Sequence, residues 1–161
     1  MKRIFPLIIA LLLLCGCQTK IYSPEIPEAF TQNATVTSGD FSYKCKICRK
    51  SDKSVNVEIT SGRVKGLALT CYANEINVKS QNLSYSVSKD GASSLNIAAV
   101  LYDAFCCVEN ESAVKASKTD SGFVYKGKIP AGDFVLIQNP DNSYSSLSVS
   151  SAQIEILFAA N

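Results

Sequence analysis

From residue 41 onward, apolar and polar positions alternate with a period of two. Val55, Val57 and Ile59 enclose Asn56 and Glu58. Leu67, Leu69 and Cys71 follow, then Ile76 and Val78, then Leu83, Tyr85 and Val87 separated by serines. Phe123 and Tyr125, residues 134–137, Leu147 and Val149, and Ile154 and Ile156 continue the series. Side chains alternate between the faces of a strand, so each run predicts a short strand with one wet face. Ser-Gly, Asp-Gly and Asn-Pro-Asp-Asn clusters between the runs supply turn chemistry, and Lys89-Asp90-Gly91 is a turn candidate. The class predicted is all-β and antiparallel, jellyroll-like or a sandwich, with one short helix near 93–107 as an option.

That option arises because Leu95, Ala98, Ala99, Tyr102, Phe105 and Cys106 also fit helical spacing. Asp90, Ser93 or Ser94 would cap such a helix. A fully buried strand pair fits the same apolar stretch, and the neighbouring strands favour it.

The first residues follow another pattern. Lys2 and Arg3 precede an apolar run over residues 4–14, which ends in Leu14-Cys15-Gly16-Cys17. A positive start, an apolar run of about ten residues and small residues before a cut site describe an export signal. A membrane span needs roughly 20 such residues. Leu14-Cys15-Gly16-Cys17 resembles the lipobox of bacterial lipoproteins, with Cys15 standing where a small residue is usual. The resemblance implies cleavage after residue 16, lipidation of Cys17, and a palmitate-type acyl anchor in the membrane. Gln18, rather than aspartate, implies sorting to the outer membrane, facing the periplasm. Residues 17–40 then read as a tether, with Pro24 and Pro27 blocking regular structure and a strand near 34–37 already able to join the domain. The β domain is assigned to residues 41–161.

Without Lys2 and Arg3, 14 basic residues balance 14 acidic ones. Neutrality and export argue against nucleic acid as a partner. The chain has no histidine. That excludes Ser-His-Asp and Cys-His catalysis, histidine metal sites and c-type haem attachment. No catalytic residue and no cofactor are expected, and the chain reads as a non-enzyme.

An offset of 78 residues places Val57, Ile59, Leu69, Cys71, Ile76 and Val78 on Val135, Ile137, Leu147, Val149, Ile154 and Ile156, which suggests an internal repeat. Within it, Ala73-Asn74-Glu75-Ile76-Asn77-Val78 and Ser151-Ala152-Gln153-Ile154-Glu155-Ile156 resemble segments of the periplasmic OstA-like jellyroll proteins of lipopolysaccharide transport. The resemblance spans roughly residues 55–158. It implies an open stack of strands whose apolar groove holds acyl chains, and proteins of that family join edge to edge. The lipid anchor and the cysteines depart from that family. A closed sandwich would use the same alternation to fill its own core.

Cys45, Cys48, Cys71, Cys106 and Cys107 are the candidate disulfide or free thiols once Cys17 is lipidated. An oxidising compartment favours disulfides. Pairing of Cys45 or Cys48 with Cys106 or Cys107 across the sheet is one expectation. Cys45-Lys46-Ile47-Cys48 is also a C-x-x-C motif flanked by Lys44, Lys46, Arg49 and Lys50, whose charges would lower a thiol's pKa. A zinc site from Cys45, Cys48, Cys106 and Cys107 fits less well, because adjacent cysteines converge poorly. Asp103, Glu109 and Glu111 read as a solvated loop rather than a glycosidase pair.

Three functions are therefore carried forward. The first binds or helps move an amphiphilic envelope component such as lipopolysaccharide. The second is a structural lipoprotein that binds an envelope protein partner through sheet edges. The third is thiol-redox or zinc chemistry at Cys45 and Cys48.

Overall fold

The computed structural model describes residues 26–110 and 113–160. The signal segment, the lipobox with Cys17, Gln18 and Glu111 lie outside the described residues.

Eleven strands form one antiparallel sheet: β1 (Phe30–Ser38), β2 (Phe41–Arg49), β3 (Val55–Ile59), β4 (Leu67–Cys71), β5 (Glu75–Ser80), β6 (Leu83–Ser88), β7 (Val114–Thr119), β8 (Gly122–Ile129), β9 (Gly132–Gln138), β10 (Tyr144–Val149) and β11 (Ile154–Phe158). Their spatial order is β6-β5-β4-β3-β2-β1-β11-β10-β9-β8-β7. Every neighbour in the sheet is a neighbour in sequence except β1 with β11, which pair antiparallel at the centre. Among the described residues a single α-helix, α1 (Ile97–Glu109), lies in the connection between the two edge strands, β6 and β7.

The all-β, antiparallel class with one short helix is therefore what the chain forms. Its layering is simpler than two facing sheets: one sheet buries one face, and α1 is the second layer. The helix packs against β3, β4 and β8, thus bridging the two halves of the sheet. It buries Ile97, Ala98, Ala99, Val100, Leu101, Ala104, Phe105 and Val108.

Residues 97–109 are helical, and the strand pair favoured from sequence does not form. Alanine at positions 98, 99 and 104 suits a helix, and no Gly or Pro interrupts it. The cap also differs from the candidates named above. Asn96 Oδ1 accepts from the backbone N–H of Ala98 (3.1 Å) and Ala99 (3.3 Å), satisfying two otherwise orphaned donors.

The sheet takes in β1, Phe30–Ser38, ahead of residue 41, and so includes the strand expected near 34–37. β1 is the central strand, with Ala34 and Val36 buried. Its sequence, FTQNATVTS, hides its inward face because one inward position is Gln32. That side chain is only 4% exposed, yet it is satisfied: Tyr144 N–H donates to Gln32 Oε1 (2.9 Å), and Gln32 Nε2 donates to the Tyr144 carbonyl (3.2 Å). The pair sits where the β9–β10 register shifts, between Tyr144 and Ser146.

The 78-residue offset keeps the facing only in part: Leu69, Cys71, Ile76 and Val78 share the covered face with Leu147, Val149, Ile154 and Ile156, but the pairs from β3 and β9 do not match. Val57 and Ile59 on β3 are buried, whereas their counterparts Val135 and Ile137 on β9 alternate with the buried Phe134 and Leu136. The similarity is one of strand length and spacing, and the facing is not kept through the whole repeat.

Candidate functional site

Residues opposite one another on paired strands point to the same side of the sheet. The pairing registers therefore define rows across the covered face. One row runs Phe30, Arg49, Val55, Cys71, Ile76, Val87 from β1 to β6. The next runs Gln32, Ile47, Val57, Leu69, Val78, Tyr85.

Burial is lost towards β6, gradually along the second row and only at Val87 in the first. Ile47 and Val57 are fully buried, Leu69 and Val78 are half-buried, and Tyr85 is 59% exposed. Val87 is 36% exposed and Leu83, on the same face of β6, is 74% exposed. Phe41, at the start of β2 and on the same face as Tyr43 and Cys45, is 72% exposed. The helix packs chiefly on β3, β4 and β8, and all six residues of β6 are exposed, so the apolar face continues past its cover. Phe41, Tyr43 and Val64 also line a cleft of about 460 Å³ together with Gly62 and Arg63. Asp40 and Ser42 line it as well, so a cation and a carboxylate both flank the apolar side chains.

The other flank is different. A larger cleft of about 750 Å³ lies along β7, β8 and β9, where Lys115, Lys126 and Lys128 meet Val114, Phe134 and Asp133. Three lysines against one carboxylate give it a net positive charge over a largely apolar lining. Lys115 stands directly opposite Lys126, a like-charged pair across the strands.

Beneath the helix the face is sealed. Phe105 packs edge-on to Phe30, with ring centroids 5.4 Å apart, and against Tyr144 at 5.1 Å. Arg49 is 1% exposed; its guanidinium lies 5.7 Å from the centre of the Phe105 ring. Its Nη1 donates to the Pro27 carbonyl (3.0 Å) and its Nη2 to Glu109 Oε1 (2.6 Å). Lys53 reaches Glu109 Oε2 at 3.1 Å. Burial alone would raise the Glu109 carboxyl, but the hydrogen bonds from Arg49 and Lys53 outweigh it and hold the group below the usual glutamate range. Lys89 pairs with Asp103 on the same helix. Asp103 and Glu109 thus belong to α1 rather than to a solvated loop, and each is committed to a base.

The structure separates the cysteines. Cys45 is buried on the covered face of β2, while Cys48, three residues on, points to the opposite face opposite Asn56 and Thr31. A C-x-x-C within one strand places its thiols on opposite sides of the sheet. The flanking Lys44 and Lys46 likewise alternate away from Cys45, so they do not activate it. Burial instead pushes the Cys45 thiol up to about 11. Cys106 and Cys107 lie on the helix, not in a strand. Cys107 faces the Ala113 and Lys128 carbonyls, while Cys106 lies near enough to Cys71 for its charge to add to the burial that raises Cys71 to about 11. Burial raises Cys106 and Cys107 as well. All five thiols are free, and the expected pairing of Cys45 or Cys48 with Cys106 or Cys107 does not form. Among the described residues no group of His, Cys, Asp and Glu side chains is placed to hold a metal ion.

The apolar flank was partly visible in the sequence as Leu83-Ser-Tyr85-Ser-Val87. What it lacks is cover, and alternation carries no information about cover. Arg49 and Glu109 were missed as a pair because 60 residues separate them.

Among the described residues no helix is long and apolar enough to cross a membrane. No protein-family model and no curated protein matches the chain. Among solved structures it is similar to a LolA superfamily protein from Nitrosomonas europaea, with 12% identity and a TM-score of 0.37. That match covers 78% of this chain and 66% of the other, just under two thirds of its length.

Proposed function

We propose that this protein is a non-enzymatic envelope lipoprotein that holds the apolar part of an amphiphilic envelope component against the uncovered flank of its sheet. The observation that carries this reading is the exposure of Leu83, Tyr85 and Phe41 on the same face that is otherwise the buried core. Monomeric proteins rarely leave contiguous large apolar side chains open without a use for them. An acyl chain laid along Leu69, Val78 and Tyr85 would extend the core outward, each buried methylene contributing about 0.8 kcal/mol. Arg63 in that cleft offers a cation to an anionic headgroup, beside the Asp40 carboxylate. Lipopolysaccharide is one amphiphile with both features. Cys17 would anchor the domain to the periplasmic side of a membrane, the outer one by the Gln18 pattern.

A phospholipid carrying a diazirine on its acyl chain tests the reading. Photolabelling of the full chain should concentrate on β4, β5, β6 and Phe41. Labelling spread evenly over the sheet, or concentrated on Leu157 of the outer face, would overturn it.

The second reading, a protein partner bound through a sheet edge, draws on the free edge of β6. The thiol reading loses its basis in the opposite facing of Cys45 and Cys48.

A further inference from the structure

A sheet in one open layer has two edges, and this chain treats them differently. Edge strand β7, VKASKT, carries Lys115 and Lys118, and Lys115 confronts Lys126 across the ladder. Charged residues on an edge deter another strand from adding there. Edge strand β6, LSYSVS, carries no charge, no proline and no register shift against β5, and all six of its residues are exposed. None of the devices that blunt an edge is present.

The β6 pattern is also self-complementary. An antiparallel two-fold pairing centred on Tyr85 sets Leu83 opposite Val87 of a second copy, Ser84 opposite Ser86, and Tyr85 opposite Tyr85. Residues paired in this way share a face, so both apolar sets fall on one side and both serine sets on the other. The serine side continues an existing polar ladder. Asn56 Nδ2 donates to Thr70 Oγ1 (2.7 Å), and Asn77 Nδ2 donates to Ser86 Oγ (3.1 Å). β6 itself carries no charge, whereas pairing it to a β7 edge with the faces matched would set its apolar side chains beside Lys118.

We infer that β6 is a homotypic pairing edge, through which two copies of this chain join antiparallel into one continuous sheet. The pairing closes on itself, because it uses the same strand twice and leaves only the two lysine-bearing β7 edges at the ends. It brings the two apolar flanks together as one strip. A six-residue edge is far smaller than the roughly 1,600 Å² of a standard interface, so the dimer is reversible and concentration-dependent.

The test uses the outer face, which leaves the apolar flank intact. Benzoylphenylalanine placed at Ser84 of the full-length chain in native membranes should photocrosslink to a second copy of the chain, and the same probe at Lys115 should not. In detergent, sedimentation velocity of the full chain should show a monomer–dimer equilibrium. The S84K/S86K variant sets lysines directly opposite one another and should weaken it on the order of tenfold. Crosslinks from Ser84 only to a different protein, no crosslink at all, or association unchanged in S84K/S86K would each overturn the inference. Lipid photolabelling of S84K/S86K should match the native chain, so failure of the dimer and failure of the lipid-binding reading remain distinguishable.

Discussion

The face of the sheet beneath α1 and its continuation from Leu69 and Val78 to β6 are made from the same material. Both present Val, Ile, Leu and Tyr at every second position, and the two rows pass from one region into the other without a break. Under the helix, Val55, Val57 and Ile47 are fully buried; on β6 the same rows end at Val87 and Tyr85 in solvent. The difference lies in what covers the rows. Alternation assigns a side chain to a face, and tertiary packing decides whether that face becomes a core or a surface for something else.

Substitutions on either side of this divide should separate the two regions, beginning with the largest effect. Phe105→Ala removes the ring that touches Phe30, Tyr144 and Arg49, and should cost about 3–5 kcal/mol in denaturant unfolding. Leu83→Ala, on the open flank, should change stability by no more than about 0.5 kcal/mol. Comparable losses at both positions would mean that the flank is packed after all.

Glu109→Gln leaves the Arg49 guanidinium buried without its counter-charge and should cost about 2 kcal/mol, short of the full penalty because Glu109 is partly exposed. The pH dependence has a definite sign. Folding holds the Glu109 pKa below its ordinary value of 4.5, so its contribution is complete above that pH. It is lost as pH falls through the lower folded value. Thermal melts from pH 7 to pH 3 should show an acid-induced drop in the native protein that is smaller in Glu109→Gln.

L83D/Y85D places two carboxylates on the uncovered flank. It should shift the unfolding free energy by less than about 1 kcal/mol, because both positions are already in water. A larger loss would assign the flank to the core.

The smallest expected effect concerns the thiols. With Cys45 buried and pushed to about 11, alkylation at pH 8 should be slow in the folded protein, and C45A/C48A should leave amphiphile binding unchanged. Rapid labelling of Cys45 would restore the redox reading.

Eight of the eleven strands were legible in runs such as Val55, Val57, Ile59 and Leu83, Tyr85, Val87, because one wet face forces alternation. β2 was marked only by the onset of alternation at residue 41, and β1 only in part, as a strand near 34–37, since a satisfied glutamine and small residues occupy its inward positions. β7 was not legible, since an exposed edge strand with lysines buries too little to show a period. The helix was ambiguous because its apolar positions satisfy both periods, and the deciding feature, Asn96 as cap, lies one residue before the run. The candidate site was half legible. Its residues stand out in the sequence, but their exposure depends on where a helix 10 residues further along the chain comes to rest.

The central claim is that the flank at Leu83 and Tyr85 holds an acyl chain. Its most direct test is mass spectrometry of lipid extracted from the purified full-length protein, with any covalently attached acyl chain counted separately, beside L83D/Y85D prepared in the same way. The account predicts near-stoichiometric non-covalent acyl-chain lipid on the native protein and a loss of most of it from the variant, with both proteins folded. A native protein free of non-covalent lipid, or a variant that retains it in full, would contradict the account.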